Sequence, residues 1–201
     1  MRVKQRRWIN ITIFLLVLVV VLSSSWFLNK RPTTSMKTFE SDYAQLSRLL
    51  VEKRWQEADQ KTRELMLKVI GKGRTPFLDS RLVKRFPCSH LGQIDQLWVK
   101  YSNGRFGLSI QKKIYLQLGN DWGKPDFRAV RRLGDEMGWR KNEKWLRYPE
   151  LTFELSAPAG HLPVGEFLGL SKGVYFQSRG VWKWYEIWVV GISRRAKTCN
   201  L

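Results

Sequence analysis

The sequence predicts a mainly α fold, a compact helical bundle with long loops, preceded by a single N-terminal transmembrane helix. Three observations carry this. Apolar residues recur at helical spacing in segment after segment, glycines and prolines punctuate those segments, and one unbroken apolar run lies close to the N-terminus behind a basic cluster. With 201 residues, 43% of them apolar, there is room for one ordinary domain with extensions. The divisions expected are a basic flank at 1–7, a membrane anchor at 8–28, a linker at 29–40, a helical domain at 41–163 and a divergent aromatic extension at 164–201.

The apolar run from Ile13 to Leu22 is flanked by Trp8 and Trp26 and closed by Lys30 and Arg31. The span of about 21 residues makes a helix of roughly 31 Å, the thickness of a bilayer core. A cleaved signal peptide is the competing reading, with Ser23-Ser24-Ser25 as its small residues. The anchor is preferred because Trp26, Phe27 and Leu28 prolong the apolar stretch into an interfacial belt. Basic residues stand on both sides, so charge does not orient it. The expectation is a single-pass membrane protein.

Beyond the linker, Asp42 is expected to cap a helix with Tyr43, Leu46, Leu49 and Leu50 on one face. A break near Lys53 leads to a second helix, Trp55 to Ile70, with Trp55, Ala58, Thr62, Leu65, Met66 and Val69 inward. Its outer face is expected to be laced by Glu57 with Lys61, Asp59 with Arg63, and Glu64 with Lys68. The stretch Phe86 to Gln111 reads as helix, corner and helix. Leu91, Ile94, Trp98 and Tyr101 are spaced for one face, Ser89 is the expected cap, Asn103-Gly104 the stop, and Gly107 a second break before Ser109. Asp95, the one acid on that helix, is read as a surface or capping group. Asp126 is expected to cap a further helix with Val130, Leu133 and Met137 inward and Arg128, Arg131 and Arg132 outward.

Two loops interleave cations with rings. Gly71 to Ser80 carries Lys72, Arg74, Pro76 and Phe77; Gly138 to Pro149 carries Trp139, Arg140, Lys141, Trp145, Arg147 and Tyr148 and shows no helical or strand periodicity. The second loop is the better candidate ligand surface, which makes the bundle's long loops its ligand-binding part. Phe153 and Leu155 alternate with polar residues and predict a short extended piece. From Gly165 to Arg195 the pattern fits either a hairpin or a tryptophan-faced helix.

A formal charge of +19 calls for an anionic partner, and about +15 remains once the basic flank is set aside. The cations are scattered among acids and no reading motif is present, so nucleic acid is not the expected partner. Phosphate-binding and dinucleotide fingerprints, HExxH and GxSxG are all missing, which argues against an enzyme. Cys88 and Cys199 lack the paired spacing of a zinc site, so no protein-bound metal is predicted. One disulfide between them is possible in an oxidising compartment; two free thiols in a reducing one are the simpler expectation. His161, in a Pro-Ala-Gly-His-Leu-Pro turn, is expected to bond backbone groups rather than a metal.

Several blocks are similar to one family. Phe86-Pro87, Ile94-Asp95, Leu97-Trp98, Gly104, Phe106-Gly107, Ser109 and Gln111, then Gly138-Trp139, Trp145, Arg147-Tyr148-Pro149, Phe153 and Ser156-Ala157-Pro158 with Gly160-His161-Leu162-Pro163, resemble the genomes-uncoupled-four family, as does Glu57-Ala58-Asp59 with Thr62-Arg63. The resemblance runs from about Tyr43 to Pro163. It implies a mostly helical domain with a concave surface that binds protoporphyrin IX or Mg-protoporphyrin IX and stimulates magnesium chelatase through its large subunit in chlorophyll synthesis. By position it implies a porphyrin site of Arg63, Phe77, Trp145, Arg147 and Tyr148, and a soluble domain on the cytoplasmic or stromal side; the membrane segment, an addition to the minimal domain, makes membrane lipid a further partner. Ser80 stands where relatives have an aromatic, and after Pro163 the sequence departs from the family. The other reading is a degenerate member serving as a basic, membrane-anchored scaffold or sensor without pigment.

Overall fold

The computed structural model describes residues 33–71, 83–119, 127–164 and 191–201. The expected anchor at 8–28, Phe77, Ser80, Asp126 and most of the 164–201 extension lie outside the described residues. Among the described residues, no helix is long and apolar enough to cross a membrane. The chain divides into two units, Met1–Glu40 and Ser41–Leu201.

Helix α1 runs over Thr33–Val51 and α2 over Trp55–Val69. The reversal between them is closed by Lys53 N–H to the Leu50 carbonyl and Arg54 N–H to the Leu49 carbonyl, with Lys53 in the left-handed region at φ 58°. Asp42 does not cap α1, because the helix begins at Thr33 and takes in part of the stretch read as linker. Its carboxylate instead receives Lys61 Nζ at 2.8 Å and Lys68 Nζ at 2.6 Å from α2. For Glu57 and Lys61 the lacing of α2 therefore differs from the i, i+4 expectation. Glu57 pairs back to Arg54, and Lys61 crosses to the neighbouring helix. Burial pushes the Asp42 carboxyl up, but hydrogen bonds from Lys61 and Lys68 outweigh it and hold the group below the ordinary carboxylate range. Residue 42 lies opposite 61 and 68 while 51 adjoins 55, so the two helices run antiparallel.

Helix α3, Cys88–Tyr101, buries Leu91, Ile94 and Trp98 on the predicted face. Pro87, not Ser89, occupies its N-cap position. Asn103 and Gly104 stop it with φ of 53° and 75°. Helix α4, Leu108–Gln117, opens after Gly107 at φ 134°. A Cβ on Gly107 would lie 2.8 Å from both Asp95 Oδ1 and Val99 Cγ2, so the corner closes only on glycine. Asp95 is the capping group of α4 although it belongs to α3: its Oδ1 accepts the Ser109 amide at 2.8 Å and the Ser109 hydroxyl at 3.1 Å. Burial raises its carboxyl, and the Ser109 hydrogen bonds oppose that rise.

The core is aromatic at its centre. Trp98 is fully buried, stacks on Trp55 with centroids 6.1 Å apart and meets Phe106 edge-on at 6.4 Å, while Trp55 and Phe106 meet at 5.5 Å. The indole N–H of Trp98 donates to Thr62 Oγ1 at 2.9 Å, and that hydroxyl donates to the Ala58 carbonyl at 2.8 Å. Thus α2 and α3 are joined by both ring contact and a satisfied polar relay.

Helix α5 spans Phe127–Glu136 and a short α6 spans Ser193–Thr198. α6 packs on α3 and α4, burying Ile192 and Ala196, and Arg195 Nε donates to the Phe86 carbonyl at 2.7 Å. This docking corrects the expectation of free thiols: Cys88 and Cys199 form a disulfide, with Cα atoms 5.2 Å apart across a sequence separation of 111. No strand forms at Phe153 and Leu155. The only strands among the described residues are β1, Arg140–Lys141, and β2, Lys144–Trp145, so those residues have no ladder to join.

Candidate ligand site

The loop from Gly138 to Pro149 shows no helical or strand periodicity in the sequence, yet a hairpin orders it. Strands β1 and β2 pair antiparallel with Arg140 opposite Trp145 and Lys141 opposite Lys144. The turn is supplied by Asn142 and Glu143, both left-handed at φ 51° and 64°. Arg140 lies 5.6 Å from the Trp145 ring centroid, and its guanidinium pairs with Asp135 of α5 at 2.6 Å. Trp145 lies over Gly134, where a Cβ would come within 2.6 Å of the indole. The hairpin is thereby seated on α5.

Past β2, the Leu146 amide donates to the Trp139 carbonyl, and Arg147 precedes a 3-10 turn at Tyr148–Glu150. Arg147 is 68% exposed on its side chain and pairs with Glu150 at 2.6 Å. Tyr148 turns the other way. It is 2% exposed, its ring meets Phe153 at 5.1 Å, and its hydroxyl donates to Asp59 Oδ2 at 2.9 Å. Asp59 Oδ1 accepts the Val164 amide at 2.7 Å. One fully buried carboxylate on α2 therefore holds both the 3-10 turn and the end of the 157–164 segment.

Asp59 was assigned to the outer face by its spacing to Arg63, and the structure corrects that. The signal was present in the same stripe: positions 55, 58, 59, 62 and 66 fall on one helical face, and Asp59 stands among apolar neighbours there. Arg63, one turn further on, is partly buried. Arg63 and Tyr148 are thus brought to the same side of α2, Trp145 lies against α5, and Arg147 projects to solvent. Phe77 lies outside the described residues.

The 157–164 segment backs this loop. Trp139 Nε1 donates to the His161 carbonyl at 2.8 Å, and the Gln111 amide donates to the carbonyls of Gly160 and Pro163 at 3.0 and 2.8 Å. His161 is fully buried and bonds backbone groups as expected: Nδ1–H donates to the Met137 carbonyl at 2.6 Å and Nε2 accepts the Thr152 amide at 3.2 Å. These partners fix a neutral ring. Burial pushes the His161 imidazole down, and the Met137 carbonyl pulls it partly back; burial also lowers His90, whose Nδ1 lies 2.7 Å from the Tyr43 hydroxyl. A lowered histidine binds fewer protons folded than unfolded, so its contribution is complete above about pH 6.5 and is lost as pH falls through the folded value. The melting temperature should drop between pH 7 and pH 5, and His161→Asn, which keeps a donor for Met137, should flatten the profile. A flat wild-type profile over that range would contradict the assignment.

Among the described residues, no group of three or more His, Cys, Asp or Glu side chains could hold a metal ion.

The profile of the GUN4-like family matches residues 36–177. A Ycf53-like protein of Synechocystis sp. is 32% identical over 148 residues, covering 72% of this chain and 60% of that protein. The chloroplastic tetrapyrrole-binding protein of Arabidopsis thaliana is 31% identical over 131 residues, covering 57% of this chain and 45% of its own length. The chain spans between about half and three-fifths of the length of the curated relatives it first matches. The ligand-free structure of Arabidopsis thaliana GUN4 superposes with a TM-score of 0.52 at 30% identity, covering 64% of this chain and 85% of that one. GUN4 from Chlamydomonas reinhardtii gives 0.51 at 27% identity, covering 65% and 84%. With most of its length inside the family profile and its helices superposing on two solved members, the chain belongs to the GUN4-like family.

Proposed function

We propose that the chain is a tetrapyrrole-binding regulator rather than an enzyme, taking protoporphyrin IX or Mg-protoporphyrin IX and stimulating magnesium chelatase through its large subunit, tethered to the membrane by residues 8–28. The observation that carries the reading is family membership combined with a loop that sets rings beside cations. A porphyrin is a flat apolar disc with two carboxylates on one edge, so it requires an aromatic or aliphatic wall and a few cations at the rim. Trp145 offers a partly exposed ring, Arg147 an exposed guanidinium, and Arg63 a cation on the facing helix; Phe77 belongs to the opposite rim by position in the family. Arg147 is paired with Glu150 at the surface, and an exposed pair of that kind yields to a propionate at little cost. Tyr148 holds the loop through Asp59 and fixes where Trp145 and Arg147 stand. Burying about 300 Å² of apolar ligand surface contributes on the order of 7 kcal/mol before ordering costs, so the rings carry affinity and the arginines orientation.

Titration of the full chain with protoporphyrin IX should quench tryptophan fluorescence and shift the Soret band. Arg63→Ala should weaken binding by roughly 5- to 10-fold with the helical circular dichroism unchanged. An unshifted Soret band at micromolar porphyrin would remove the ligand reading. The scaffold reading is favoured by one feature, the like-charged pair Lys141 and Lys144 directly opposite each other and both exposed, which invites an anion. Salt-sensitive binding to anionic vesicles without any porphyrin response would select it.

A further inference from the structure

We infer that the Cys88–Cys199 disulfide is a redox-operated strap, opened by a dithiol reductant and controlling whether α6 stays docked on α3 and α4. The family profile ends at residue 177, so α6 and Cys199 lie beyond the part of the chain that the family defines. The six-residue α6 is too short to persist as an isolated helix and depends on what holds it down. Apart from the disulfide, its attachments include the buried Ile192 and Ala196, the Arg195 bond to the Phe86 carbonyl, the Lys112 ammonium on the Leu201 carbonyl, and Leu201 Cδ2 lying over Gly92. None of these includes the Trp55, Trp98 and Phe106 centre of the core. The strap is therefore separable from the fold it rests on.

Its chemistry favours opening. Cys88 is exposed and is the first residue of α3, where the helix dipole stabilises a thiolate, and the Arg195 guanidinium bonded at Phe86 adds positive charge nearby. Cys199 is the C-cap residue of α6, where the helix dipole opposes a thiolate although Arg195 and Lys197 of the last turn stand close by. A dithiol's thiolate attacks Cys199 Sγ, the Sγ–Sγ bond breaks, and its electron pair leaves on Cys88 Sγ, the better leaving group. The reductant's second thiolate then attacks the reductant's own sulfur in the mixed disulfide. It closes the reductant's disulfide and releases Cys199. The two protons given up by the dithiol balance the two protein thiols formed; the dithiol is oxidised by two electrons and the protein disulfide is reduced by two.

The test uses the full chain without denaturant and needs no porphyrin. Millimolar dithiothreitol should render two thiols titratable while the helical circular dichroism is retained. Proteolytic cleavage within 191–201 should become at least about ten-fold faster on reduction and return to its slow rate on reoxidation. Cys88→Ser should cleave at the fast rate with or without reductant. Thiols that titrate only in denaturant, a cleavage rate indifferent to reduction, or collapse of the helical signal on reduction would each overturn the inference, because the bond would then be a static cross-link. If Cys88→Ser fails to accumulate, the wild-type reduction and reoxidation cycle decides alone.

Discussion

Trp98→Ala is expected to destabilise the domain by about 3–5 kcal/mol, the range for deleting a large buried aromatic. The indole is fully enclosed and touches both other rings of the central cluster, so its removal leaves a cavity that Trp55 and Phe106 can fill only by giving up their mutual edge contact. Loss of the ring also strands Thr62, whose hydroxyl keeps its bond to the Ala58 carbonyl but loses the indole donor. Trp98→Phe separates the two contributions. It retains most of the packing and deletes only the hydrogen bond to Thr62, for an expected cost of roughly 1–2 kcal/mol. Urea denaturation of the three proteins measures both, and a loss below about 1.5 kcal/mol for the alanine variant would show that the cluster is not the centre of the core.

That cluster also shows what the sequence made legible. Leu91, Ile94 and Trp98 are three and four apart, and on a chain of this composition such spacing has one economical solution, a helix with that face buried. The stops were equally readable, because left-handed backbone at Asn103 and Gly104 is disfavoured for most other residues. What eluded the sequence depends on partners far along the chain. Asp42 reads as a cap because an acid before an apolar stripe usually is one; only the approach of Lys61 and Lys68 from α2 makes it an interhelical ion centre. The disulfide joins residues 111 apart through a helix whose docking no local pattern reports. The hairpin in 140–145 was missed because its strands are two residues long, too short to display a period of two. In the candidate site the rings and cations are visible as types, whereas the burial of Tyr148 depends on Asp59 and the half-burial of Trp145 on Gly134, partners that no local pattern reports.

Asp59→Ala is the second large effect, with an expected loss of about 2–5 kcal/mol. The substitution empties a fully buried position and takes the carboxylate acceptor away from the Tyr148 hydroxyl and the Val164 amide. Neither can turn to water without undoing the 3-10 turn or the end of the 157–164 segment. Asp59→Asn keeps one acceptor oxygen and should cost less than the alanine change, because the Tyr148 oxygen can accept from the new amide while the remaining carbonyl serves Val164. Tyr148→Phe removes one of the two donors, so in its background the penalty of Asp59→Ala should shrink by about 1–2 kcal/mol; a double-mutant cycle reads that coupling directly. A coupling near zero would mean that the carboxylate and the phenol do not share the bond assigned to them. The consequence for binding follows from position: α2 also carries Arg63, and the loop released from Asp59 carries Trp145 and Arg147. Loss of this one buried acid should therefore weaken the proposed porphyrin binding by more than any single rim substitution.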